Sequence, residues 1–235
     1  MARDFPETSF CFYSRLGSVD PNFSVFNSWL HEPAYLCGRL AGRLTESGRV
    51  GAVAGHAHPA LNAVLNAFRR GVDDVNPAAV TEIYLLGEGS SPDEARAAAS
   101  RMIDRGVDYL LTGFPGVIAL CEKKRVPVFG YLRDWYLVSP DIMVTGAVWD
   151  LGPLVENVVE EVKNDCYRAR DLREWSMMAK GGAYLAPYHA FESRLSYEIK
   201  EDTDGIRRSI LSGLYRVPAD EFLPVAEQAV PEKPY

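Results

Sequence analysis

Between His31 and Gly146, short apolar segments alternate with amphipathic helical ones, and that alternation constrains the fold more than any other property of the chain. Val50–Gly55 is a short apolar strand. The helix after it places Leu61, Val64, Leu65 and Phe68 at i, i+3, i+4 and i+7. Ile83–Leu86 is the next strand, and Ser91-Pro92-Asp93-Glu94 opens its helix as a capping box with proline at the first helical position. That helix turns Ala95, Ala98, Ala99, Met102 and Ile103 inward. Tyr109–Thr112, Val126–Gly130 and Ile142–Thr145 complete the strands. Such a pattern predicts an α/β protein built on a doubly wound parallel sheet. In these sheets ligands bind in the crevice beyond the carboxyl ends of the strands.

The flanks read differently. Ser9–Tyr13 and Phe23–Phe26 are candidate strands around a turn at 17–22, and His31-Glu32-Pro33 opens a helix carrying Tyr35, Leu36, Leu40 and Leu44. Beyond Trp149 a helix is expected to bury Val155, Val158, Val159 and Val162. A turn at Lys180–Gly182, a strand at Ala183–Ala186, a helix from about Glu192 to Leu211 and an irregular tail from Val217 follow. Residues 31–148 therefore form the expected ligand-binding lobe. Residues 1–30 and 149–235 are read as an incomplete second lobe, hinge and C-terminal return.

A formal charge of −7 and an isoelectric point near 5.2 argue against a nucleic-acid surface. Cys11, Cys37, Cys121 and Cys166 form no Cys-x-x-Cys pair, so free thiols are expected, with no zinc site and no cofactor. The sequence has no long apolar run, and its first residues lack the apolar core of a signal peptide. Read literally, those features describe a soluble cytoplasmic chain. Enzyme motifs are missing: there is no G-x-G-x-x-G, no Walker A and no G-x-S-x-G elbow.

Several segments, in order, resemble a known family. Glu32-Pro-Ala-Tyr-Leu36 with Gly38 and Ala41 is similar to a motif E-x-x-Y-L-x-G-x-x-A. Gly48–Gly51, Pro59, Asn66-Ala-Phe68, Gly71, Asp104-x-Gly106-Val-Asp108, Phe129-Gly130 with Asp134, and Ile210-x-x-Gly213 with Val217 continue the match. Together they resemble the basic membrane protein family, the purine-nucleoside-receptor-like substrate-binding proteins of ABC transporters. The resemblance implies a type I periplasmic-binding-protein-like lobe whose first lobe is mostly lacking. It also implies a purine-like small-molecule ligand, an ABC permease as partner and an extracytoplasmic, membrane-associated location. Thr145-Gly-Ala-Val-Trp149 resembles the subgroup with Trp in place of Lys, which points to purine bases.

Within that frame Asp134 is expected to accept hydrogen bonds from a purine amine or ring N–H, among the aromatic faces of Tyr131, Trp135 and Tyr136. Trp149 is expected to stack on the ligand. Gly113 and Phe114 open a helix at a strand end, where backbone N–H groups suit an acceptor atom. His56, at another strand end, is expected to line the pocket; the His56–His58 pair lacks a third metal ligand. Two other readings stand beside the import protein: an intracellular sensor reusing the receptor fold, and a non-binding remnant. With one lobe incomplete, a homo-oligomer is expected to cover the cleft.

Overall fold

The computed structural model describes residues 2–14, 17, 21–87 and 89–224, together with the backbone of 227 and 228. Strands β1 (Phe10–Tyr13) and β2 (Phe23–Phe26) pair in parallel as a small separate sheet. The chain then runs through α1 (His31–Leu44), β3 (Arg49–Ala54), α2 (Pro59–Val75), β4 (Val80–Leu85), α3 (Pro92–Asp104) and β5 (Tyr109–Thr112). It continues through α4 (Pro115–Lys124), β6 (Val128–Leu132), β7 (Met143–Trp149) and α5 (Gly152–Lys163). Last come β8 (Ala183–Leu185), α6 (Tyr197–Leu211) and β9 (Glu227–Gln228). The main sheet has the order β8-β7-β6-β5-β3-β4-β9, parallel throughout except for β8, which is antiparallel to β7. This is the expected α/β architecture, with the winding direction reversing between β4 and β5 on either side of β3.

Alternation along the strands divides the core between two faces. Ala52 and Ala54 of β3, Leu111 of β5 and Phe129 of β6 join α1 and α2 on one side. Val53, Leu110 and Val128 point the other way, into a core with α3 and α4. Fully buried parallel strands are apolar on both faces, which is why these segments read as near-continuous hydrophobic runs. Ser91 caps α3 as expected, its hydroxyl accepting from the Glu94 amide at 3.3 Å.

Helices α1 and α2 meet backbone to backbone. A Cβ on Gly38 would stand 1.9 Å from the Phe68 carbonyl oxygen, and one on Gly71 would stand 2.2 Å from that of Tyr35. Only glycine fits at either position. Beside this contact Arg39, nearly buried, binds Asp202 of α6 through two hydrogen bonds of 3.1 and 2.8 Å. The Tyr35 hydroxyl donates to Asp74 at 2.7 Å. Burial pushes the Tyr35 hydroxyl's pKa well above its ordinary value, so it stays a donor.

Four expectations for the flanks change. β8 and α6 were placed with the second lobe, yet β8 extends the main sheet at β7 and α6 packs on α1. The single helix from Glu192 is two elements: a 3-10 stretch His189–Arg194, then α6, whose N-cap Ser196 accepts from the Ile199 amide. On α5 only Leu154 is buried; Val155, Val159 and Val162 are exposed, because no described element covers that stripe. The irregular tail includes β9, which pairs with β4. The turn expected at 17–22 falls largely outside the described residues.

Candidate functional site

A cavity of about 380 Å³ opens beyond the carboxyl ends of β3, β5, β6 and β7. It sits where the winding direction reverses, the position at which open α/β sheets bind their ligands. Ala54, Gly55, His56 and His58 come from the end of β3, and Leu61, Val64 and Leu65 from the first turns of α2. Thr112, Gly113 and Phe114 follow β5, while Tyr131 and Leu132 end β6. Trp149 ends β7, and Tyr13 and Ser28 reach in from the small sheet and the connection to α1. Among the described residues, no carboxylate, lysine or arginine lines it.

Five expected residues therefore meet: His56, Gly113, Phe114, Tyr131 and Trp149. Gly113 matters sterically, since a Cβ there would lie 3.2 Å from the Tyr131 carbonyl oxygen. Trp149 contacts two aromatic rings of the small sheet, Tyr13 with centroids at 5.7 Å and Phe26 at 6.1 Å. Its indole Nε1 is buried with no hydrogen-bond partner among the described residues. Burial also raises the pKa of the Tyr131 hydroxyl above its ordinary value, with a smaller contribution from Tyr13.

Asp134 and Trp135 do not line the cavity. Leu132 adopts a left-handed backbone (φ +72°), so the chain turns sharply as β6 ends. Trp135 folds back into the core shared with α3 and α4, its Nε1 donating to the Tyr131 carbonyl at 3.0 Å. Asp134 faces away to His189, with Oδ2 2.7 Å from the imidazole Nε2, and its Oδ1 accepts the Tyr136 amide at 2.9 Å. The Tyr136 and His189 rings stack at 4.0 Å. Asp134 thus clasps the β6–β7 connection to the C-terminal return. The pair is part-exposed, so Asp134→Asn is expected to lower stability by only about 0.5 kcal/mol, read by urea denaturation.

Tyr13, Ser28 and Thr112 were not among the expected residues, and His58 was read only as the partner of His56. His58 was legible as the residue before Pro59: it is the N-cap of α2, and its Nδ1 accepts from the Leu61 amide at 3.4 Å. Thr112, fully buried, accepts the Phe114 amide at 3.2 Å and so shapes the start of α4. At the start of α1 two ionisable groups, His31 and Glu32, are buried. Burial holds the His31 pKa down to about 4, although a backbone hydrogen bond with Val217 opposes this. Burial raises that of Glu32, opposed by its bonds from the Met178 amide, at 2.8 Å, and from Trp29.

Residues 1–170 match the family model described as "ABC transporter substrate-binding protein PnrA-like". The chain belongs to this family. A purine-binding protein of Brucella abortus (strain 2308) is 24% identical over 190 residues, 80% of this chain and 53% of that protein. A Haloferax volcanii protein, named for glucose binding in an ABC transporter, is 25% identical over 95% of this chain and 58% of its own length. The chain thus spans little more than half the length of these relatives. Among solved structures, an ABC transporter solute-binding protein from Conexibacter woesei superposes with a TM-score of 0.71 at 23% identity, covering 93% of this chain and 74% of that one. That likeness supports the periplasmic-binding-protein-like fold. No helix among the described residues is long and apolar enough to cross a membrane.

Proposed function

We propose that this chain supplies the principal ligand-binding lobe of an ABC-importer solute-binding protein, and that its ligand is a purine base. The observation that carries this reading is the cavity itself: aromatic and largely apolar, at the winding reversal of an α/β lobe, in a chain of a substrate-binding family. A planar heterocycle suits walls made by Trp149, Tyr131, Phe114 and Tyr13, which offer ring faces and edges. A hexose carries hydroxyls all round and needs many polar partners; this lining offers few. The volume is of the order that a small ligand fills. Without a carboxylate in the lining, a ribose diol has no charged acceptor, which favours the free base over the nucleoside. Delivery to an ABC permease and an extracytoplasmic setting follow from the same reading.

Isothermal titration of the 235-residue chain with purine bases, the matching nucleosides and glucose tests it. At least one base is expected to bind with micromolar affinity, about −8 kcal/mol, and to raise the melting temperature. Nucleosides are expected to bind more weakly and glucose not at all. No heat and no thermal shift with any purine would refute the reading.

A further inference from the structure

We infer that the cavity takes 6-amino- and 6-oxopurines alike, with the Tyr131 hydroxyl as a group that meets either one; this rests on the purine reading above and names the class of base. The polar side chains of the lining are nearly all of one kind. Tyr13, Ser28, Thr112 and Tyr131 bring hydroxyls, and His56 and His58 bring imidazoles. A hydroxyl donates one proton and accepts through two lone pairs, and its proton rotates to suit its partner; a neutral imidazole likewise donates at one nitrogen and accepts at the other. Among the described residues no asparagine or glutamine lines the cavity. The Trp149 indole is a donor only, and its N–H is buried away from solvent.

Depth separates these groups. Tyr13, His56 and His58 are exposed, so water supplies whatever partner a ligand does not. Tyr131 is half-buried, and its hydroxyl has no hydrogen-bond partner among the described residues. Burial pushes the pKa of that hydroxyl above its ordinary value, so it keeps its proton and with it both hydrogen-bonding roles. Thr112 is fully buried; its Oγ1 accepts the Phe114 amide and retains a proton and a second lone pair. Adenine and hypoxanthine share one ring system and reverse polarity along a single edge, with a 6-amino donor in one and a 6-oxo acceptor in the other. A wall of fixed polarity separates such a pair by roughly 10- to 100-fold, because one of the two leaves a buried group unpaired. Hydroxyls that rotate pair with both. The opposite edge of the ring system is the same in both bases, so entry in that direction gives no discrimination either.

The test is calorimetry on the 235-residue chain with adenine, hypoxanthine and glucose, repeated with Tyr131→Phe. The affinities of the two bases for the wild type are expected to agree within about 10-fold. Tyr131→Phe removes one hydroxyl, and is expected to weaken both bases by roughly 10-fold at an unchanged melting temperature. A wider gap between the bases, a loss confined to one of them, or no loss for either overturns this inference and leaves the purine reading standing. Binding of glucose with no purine, or no binding by any of the three, overturns both.

Discussion

Gly38→Ala is expected to lower the unfolding free energy by about 3 kcal/mol, the upper range for an overpacked core. The added Cβ would lie 1.9 Å from the Phe68 carbonyl oxygen. That atom belongs to the α2 backbone and cannot swing aside as a side chain can. Relief requires α1 and α2 to separate, and both carry the largest buried side chains on that face, among them Tyr35, Leu36, Leu40, Leu65 and Phe68. For a chain of this size the melting temperature should fall by about 6–12 °C. Gly205→Ala is the matched control. Its Cβ meets nothing nearer than 4.0 Å on α6, so the same substitution there is expected to stabilise by about 0.5–1 kcal/mol. Equal melting temperatures for the two variants would show that the close helix contact does not exist.

Acidification should weaken the protein through His31, by about 3 kcal/mol between pH 7 and pH 4. The ring is buried and its pKa is lowered from 6.5 to about 4 by loss of solvation. Below pH 6.5 the unfolded chain takes up a proton that the folded chain refuses, so stability declines as the pH drops and this contribution levels off below about 4. Glu32 acts in the opposite sense, because its raised pKa makes the folded state the better proton acceptor in the carboxylate range. The His31→Gln variant separates the two. Urea titrations at pH 7 and pH 4 should show the wild type losing about 3 kcal/mol more than the variant. Parallel losses would mean that the imidazole is solvated.

What was legible in the sequence was whatever local chemistry decides. β3 to β7 and the helices between them stand out because strands buried on both faces must be apolar, and because Ser91, Pro92 and Pro115 mark helix starts. The valine stripe of α5 was also read from its spacing, but periodicity identifies a face without saying what covers it. Asp134 shows the same limit at the site. Its position after a strand, among aromatics, matches that of a pocket residue. Its direction is set by the left-handed turn at Leu132 and by His189, 55 residues further along. Gly113, Phe114 and Trp149 reach the cavity because a strand end in a parallel sheet leaves its next residue little choice of direction. Tyr13 reaches it from a small sheet whose placement no local pattern encodes.

The network that holds α1 has a consequence for how the chain comes to fold. Glu32 accepts a hydrogen bond from a residue 146 positions later, and Arg39 binds a carboxylate 163 positions later. The free edge of β7 is likewise covered only by Ala183–Leu185. α1 can therefore pack on α2 as soon as both are made, whereas the bonds of Glu32 and Arg39 wait until loops of more than a hundred residues have closed. Contacts so distant in sequence slow folding, and until they form an apolar helix face and an open sheet edge stay exposed to other chains.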